Sequence, residues 1–287
     1  MRIFLYEPMG QSARDALASH KPEFLLSTEG AEVFWCGLWP LAIEDVPPSV
    51  RYVVCPATGT DHLPVEALTA RGCQVISLAG NPGLRDVPAT AELTIALMLA
   101  MQRRLPVAWH REAHERHPDL MGNDLRGKRV AVVGYGRVGK MVVDLLWAFK
   151  AIPMGIDSRF GDLGPQFAAA LPVADIVTLH VDLNPTSVGL IGRKELAMMK
   201  PGALLVNTSR GAVVDERALC EQIVGERLRA ALDVMVDEVN LNRTLLNIAD
   251  KRPESLLLTP HLGGFTAEST ATAERLAVER LLEVWKE

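Results

Sequence analysis

The stretch KRVAVVGYGRVGK, residues 128–140, is compatible with very few folds. A β-branched run ends at Gly134, further glycines follow at Gly136 and Gly139 in the spacing G-x-G-x-x-G, and an apolar helical pattern, KMVVDLLWAF, begins at once. Strand, glycine turn and helix in that order open a parallel βα unit. The first glycine permits the tight turn, the second lets backbone approach a pyrophosphate, and the third lets helix pack close on strand. The positive end of the helix favours the anion. The next strand, IPMGID, ends in Asp157, 18 residues beyond Gly139, near the roughly 20 expected of the acid that binds an adenosine ribose. That acid favours NAD over NADP. Arg159 pulls the other way, since an arginine near this position can meet a 2′-phosphate.

The same alternation of short apolar runs with helical patterns extends along the chain. RIFLY, VRYVVCP and CQVISLAG precede the glycine turn, and MGID, ADIVTLH, ALLVNTS, RAALDV and SLLLTPH follow it. This is the pattern of parallel α/β sheets. The rhythm breaks near Pro88, where ATAELTIALMLAMQRRL reads as an apolar helix of about four turns. The last stretch, from Thr266 as N-cap, is amphipathic at helical spacing and can pack back on the first domain. We therefore expect two domains: residues 1–88 with 265–287, and residues 89–264. The fold class is α/β, a Rossmann doubly wound parallel sheet plus a smaller, truncated flavodoxin-like α/β domain.

Bulk properties exclude other classes. A formal net charge of −5 over 287 residues, with no run of like charges, gives no general attraction to nucleic acid or anionic membrane. No apolar window approaches the roughly 20 residues that span a bilayer, and the amino terminus lacks the layout of a signal peptide. Cys36, Cys55, Cys73 and Cys220 lie far apart in no ligand pattern, which fits reduced thiols in the cytoplasm. His110, His114 and His117 stand at helical spacing in a polar stretch, which we read as a solvated helix face; no metal is expected.

Five segments, VVGYGRVGK, ADIVTLHVDLNPTSVGLIG, MKPGALLVNTSRGAVVDERAL, ALDVMVDE and LTPHLGGFTAES, together resemble the D-isomer-specific 2-hydroxyacid dehydrogenases, in that family's order. The resemblance implies that Arg210 holds the carboxylate and carbonyl oxygen of a 2-oxo acid, that His261 is the general acid/base, and that Glu238 is its partner. A guanidinium fork suits a planar 2-oxo acid, and a carboxylate beside an imidazole keeps a proton available near neutrality. The resemblance also places Asp233 on the nicotinamide carboxamide and Arg137 and Val138 along the pyrophosphate, with Thr208 and Ser209 near the nicotinamide. Gly263 and Gly264 join the cofactor set, while Thr58 and Gly59 meet the substrate carboxylate. It implies a homodimer formed through the helix from Ala91 to Leu105 and the segment after it.

The chain departs from that pattern in places. Between AEVFWC and VRYVVCP only GLWPLAIEDVPPS intervenes, so a strand, a helix and a substrate-reading loop are expected to be missing or rebuilt. The stretch after Asp157 is brief, which suggests a loop in place of the second crossover helix. Asp182 and Val239 stand where relatives carry proline. The expected activity is NAD-dependent interconversion of a 2-oxo acid and a D-2-hydroxy acid. Two alternatives are a dehydrogenase of an unusual acid, such as a phosphorus oxyacid, and a non-enzymatic NAD(H)-sensing interaction protein on the same scaffold.

Overall fold

A computed structural model of the chain describes residues 1–37, 39–109 and 117–285. It divides into two units, Met1–Val87 with Phe265–Glu287, and Pro88–Gly264. The first unit opens with β1 (Arg2–Leu5), α1 (Gln11–Leu17), β2 (Glu23–Leu25), β3 (Val33–Trp35), β4 (Tyr52–Val54), α2 (Val65–Ala70) and β5 (Gln74–Ile76). Its five strands are parallel in the order β2-β1-β3-β4-β5, the flavodoxin-like 2-1-3-4-5 arrangement. Every residue of β3 and β4 is buried, so these strands read as unbroken apolar runs.

The expected loss of a strand is therefore corrected: all five strands of that order are present. What is reduced is the crossover from β3 to β4, which passes through a single 3-10 turn, Ile43–Asp45. Pro40, Pro47 and Pro48 lie in that crossover, and each removes a backbone donor that a helix would need.

The second unit begins with α3 (Ala89–Gln102) and α4 (Leu105–Trp109). It continues through β6 (Arg129–Val133), α5 (Arg137–Ala148), β7 (Ile152–Ile156), α6 (Leu163–Ala170), β8 (Ile176–Leu179), α7 (Arg193–Met198), β9 (Leu204–Asn207), α8 (Glu216–Val224), β10 (Arg229–Leu232), α9 (Arg243–Lys251) and β11 (Leu256–Leu258). The six strands are parallel in the order β11-β10-β9-β8-β6-β7. The direction of winding reverses between β6 and β8, which makes that pair the switch point where doubly wound sheets bind ligands. The crossover after Asp157, expected as a loop, is the helix α6; Asp162 caps it by accepting from Gly164 N at 2.9 Å.

One face of this sheet packs Val133, Val177 and Leu205 with Phe167, Leu196 and Leu219. The other packs Val130, Val132 and Val206 with Ile95 and Met98 of α3 and Val142 and Leu146 of α5. The chain then returns to the first unit in α10 (Ala267–Val284), capped by Thr266 Oγ1, which accepts from Ser269 N at 3.2 Å. Leu276, Ala277 and Leu281 of α10 pack on Ile3, Trp35 and Val54.

Candidate active site

The glycine turn after β6 uses each glycine for a different reason. Gly134 has φ +91°, and a Cβ there would come within 2.4 Å of the His180 carbonyl oxygen. A Cβ on Gly139 would meet the Gly134 carbonyl oxygen at 2.0 Å, whereas Gly136 faces open space with nothing within 4 Å. Gly136 is also the N-cap of α5 and offers no side-chain acceptor to the first helical N–H groups. Open backbone above an uncapped helix start is the shape and polarity that a pyrophosphate requires. The residues present fit a dinucleotide. Val138 turns its side chain into the core, and Arg137 is lowered in pKa by burial, with the charge of Asp182 opposing that shift.

Asp157 ends β7 with its carboxylate fully engaged. Oδ2 accepts from Tyr135 N at 2.7 Å, and Oδ1 from Arg159 N at 2.9 Å. The Arg159 side chain adds Nε to Oδ1 at 2.8 Å and Nη2 to Oδ2 at 2.7 Å. This fork holds the Asp157 carboxyl well below the usual carboxylate range. Beneath the turn, burial pushes the His180 imidazole down to about 3, so the ring is neutral. Its Nε2 is 3.0 Å from Thr178 Oγ1.

The three neighbouring strands β9, β10 and β11 lead at their carboxyl ends to the remaining groups. After β9, Asn207 Oδ1 accepts from Ser209 N at 3.0 Å and Ser209 Oγ at 2.8 Å, while Asn207 Nδ2 donates to the Arg210 carbonyl at 2.9 Å. That closed turn presents Arg210, whose Nη1 donates to the Ser209 carbonyl at 2.9 Å. Thr94 Oγ1 of α3 donates to Thr90 O at 2.7 Å and so accepts from Thr208 Oγ1 at 2.9 Å.

After β10, Asp233 is fully buried. Its Oδ1 accepts from Thr259 Oγ1 at 2.6 Å and Leu262 N at 2.8 Å, and Oδ2 from Gly263 N at 2.8 Å. Its carbonyl accepts from His261 N at 2.9 Å. Asp233 thus holds the whole loop after β11. In that loop His261 has a left-handed backbone, φ +53°, and its Nδ1 lies 2.8 Å from Glu238 Oε2. Glu238 belongs to a segment pinned by Asp237 Oδ1, which accepts from Val239 N at 3.0 Å and Asn240 N at 2.7 Å. Glu216 at the start of α8 ties both ends of that segment, accepting from Val236 N at 3.2 Å and Asn242 Nδ2 at 2.8 Å.

Residues 95–263 match the family model described as D-isomer specific 2-hydroxyacid dehydrogenase, NAD binding domain. The chain belongs to the D-isomer-specific 2-hydroxyacid dehydrogenase family.

Within that family it is 35% identical over 233 residues to a D-3-phosphoglycerate dehydrogenase of Mycobacterium tuberculosis, a match covering 77% of this chain and 42% of the relative. The chain thus spans less than half the length of the phosphoglycerate dehydrogenases it matches first. A glyoxylate reductase of Thermococcus litoralis is 31% identical over 253 residues, covering 82% of this chain and 74% of the relative. Among solved structures, the TT0316 protein of Thermus thermophilus superposes with a TM-score of 0.83 at 30% identity, covering 98% of this chain and 96% of that one.

Arg210 follows β9, Asp233 and Glu238 follow β10, and His261 follows β11, all past the carboxyl ends of neighbouring strands of the second sheet. Thr58 and Gly59 lie in the other unit, in the loop that follows β4. Asn207, Glu216 and Asp237 lie in the segments that carry the resemblance but are assigned no role there, and Thr94 lies outside them; all four hold the turns around the candidate site. Gly211 closes the NTSRG turn, and a Cβ there would lie 2.0 Å from the Met235 carbonyl carbon, so that turn and the segment after β10 can meet only at a glycine. Gly264 faces open space. His110 and His114 lie outside the described residues, and His117 is exposed against Asp119. Among the described residues no group of His, Cys, Asp or Glu has the arrangement to hold a metal, and no helix is long and apolar enough to cross a membrane.

Proposed function

We propose that the chain is an NAD-dependent oxidoreductase that interconverts a 2-oxo acid and a D-2-hydroxy acid. The observation that carries this reading is the 2.8 Å contact of His261 Nδ1 with Glu238 Oε2, on the same sheet edge as the turn that presents Arg210. Bound NAD(H) supplies or accepts the hydride. Arg210 receives the substrate carboxylate on its fork and turns the 2-oxo group toward the histidine. With Nδ1 committed to Glu238, proton exchange with substrate falls to Nε2. In reduction Nε2 gives its proton to the carbonyl oxygen as the carbon gains hydride; in oxidation it takes the hydroxyl proton. Glu238 stabilises the charged ring formed in the oxidising direction.

NAD is preferred to NADP because Asp157 occupies the position of the ribose acid and Arg159 is folded onto it. Gly134, Gly136, Arg137, Val138 and Gly139 would bind the pyrophosphate. Thr208, Ser209, Asp233, Gly263 and Gly264 would border the nicotinamide. Thr58 and Gly59 of the first unit, read as the substrate domain, would meet the carboxylate. A homodimer through α3 and the segment after it would cover the exposed Trp109 and Met121. Four buried free thiols fit a cytoplasmic protein, and the net charge of −5 gives nucleic acid no attraction.

Incubation with NADH and a panel of 2-oxo acids tests the reading: absorbance of the reduced nicotinamide falls with at least one of them. NADH binding without turnover on any 2-oxo acid would contradict it and favour a sensing role.

A further inference from the structure

We propose that the second unit carries a binding site for a phosphate-type oxyanion at the amino-terminal edge of its sheet, opposite the edge that bears Arg210 and His261. A cleft of about 170 Å³ opens there, lined by Gln102, Asn123, Lys128, Asp175, Lys200 and Arg229. Lys128, Asp175 and Arg229 immediately precede or begin β6, β8 and β10, and Gln102 ends α3. At about 30 Å³ per water the cleft admits a tetrahedral oxyanion and a few waters.

The charges do not balance within the cleft. Its one acid, Asp175, is already engaged by Lys200 Nζ at 2.6 Å and by Arg129 N at 3.0 Å. That leaves Lys128 and Arg229 as surplus cations. Among the described residues Arg229 makes only long contacts, Nε to Gly202 O at 3.3 Å and Nη1 to Met101 O at 3.4 Å. Burial and the adjoining charge of Arg104 both lower its pKa. An anion in the cleft would offset that like-charge effect on Arg229. The Nε of Arg104 is itself buried without a hydrogen-bond partner among the described residues.

Gln102 adds a second, independent signal. It is 2% exposed, yet its Oε1 has no partner among the described residues. Buried side-chain acceptors are rarely left unsatisfied. A monoprotonated phosphate, or a phosphate ester at its first ionisation, meets both demands: charged oxygens for Arg229 and Lys128, and one P–OH to donate to Gln102. A fully ionised anion with no proton would leave Gln102 unpaired.

Titration of the intact chain with inorganic phosphate, and separately with a small phosphate monoester, tests the proposal by calorimetry and by the rise in Tm that binding to the folded state produces. We expect both probes to bind, with Arg229→Gln weakening phosphate about tenfold or more and Lys128→Gln severalfold, while NADH affinity is unchanged. Binding of the ester alone would make an organic phosphate the ligand and keep the site. Should Arg229→Gln fail to fold, Lys128→Gln and Asn123→Ala give the same reading from side chains nearer solvent. No phosphate response in the wild type would overturn the site. So would equal affinity in all variants with displacement by NADH, which would assign the phosphate to the glycine turn.

Discussion

His261 Nδ1 lies 2.8 Å from Glu238 Oε2 across 23 residues of sequence, and the histidine backbone is held at φ +53° to make that contact. A left-handed conformation costs a residue with a Cβ roughly 1–2 kcal/mol. The surroundings over-determine it: Asp233 accepts His261 N on its carbonyl and Leu262 N and Gly263 N on its carboxylate. The strain therefore sits at the residue proposed as the acid/base.

Asp233 should be among the least replaceable residues of the second unit. In Asp233→Ala the N–H groups of Leu262 and Gly263 and the Thr259 hydroxyl lose their acceptor in a buried place, at a cost of about 3 kcal/mol or more. Chemical denaturation should show a lower midpoint with an unchanged slope, and turnover should fall further than the loss of folded protein explains.

Arg210→Lys keeps the charge and removes the fork. KM for the 2-oxo acid should rise by about tenfold or more, with a smaller change in kcat. Steady-state kinetics at saturating NADH check this; an unchanged KM would remove Arg210 from the carboxylate.

In the proposed reading, Asp157 and Arg159 bear on both cofactor choice and acid stability. Asp157→Ser should free Arg159 for a 2′-phosphate and lower the NADH to NADPH ratio of kcat/KM by about 10². The Asp157 carboxyl is held below the usual carboxylate range, chiefly by Arg159. A carboxyl depressed below its unfolded value of about 3.9 adds stability above that pH and loses it as the pH falls toward the folded value. Between about pH 4 and pH 2 the wild type should thus lose unfolding free energy more steeply than Asp157→Asn. Parallel curves for the two proteins would contradict the pairing.

Two glycines of the site region should respond in opposite ways. Gly211→Ala drives a Cβ into the Met235 carbonyl group at 2.0 Å, and the backbone shift needed should cost about 3 kcal/mol or more. Gly264 has nothing within 4 Å, so Gly264→Ala should stay within about 0.5 kcal/mol of wild type. Thermal unfolding of the two variants side by side settles the contrast.

Much of this site is legible in the sequence because its groups sit in local motifs. The glycine turn, Asp157, Arg210 and His261 each follow a parallel strand, where an apolar run gives way to a turn. The supports are not legible. Glu216 and Asn242 meet across 26 residues, and Thr94 and Thr208 across 114; nothing local in either sequence neighbourhood announces its partner. The first unit misleads for a different reason. β2 and β3 have three residues each, too few to show a period, and an unusually short crossover looks like a missing strand. The α6 crossover is hidden likewise: it is only eight residues long, with Gly164 and Pro165 near its start, both weak helix signals.

The most direct test of the account is single-turnover reduction of an accepted 2-oxo acid by His261→Ala loaded with NADH. The account predicts a rate lower by about 10² or more, with NADH affinity within about twofold of wild type. A variant that reduces the acid at the wild-type rate would contradict it.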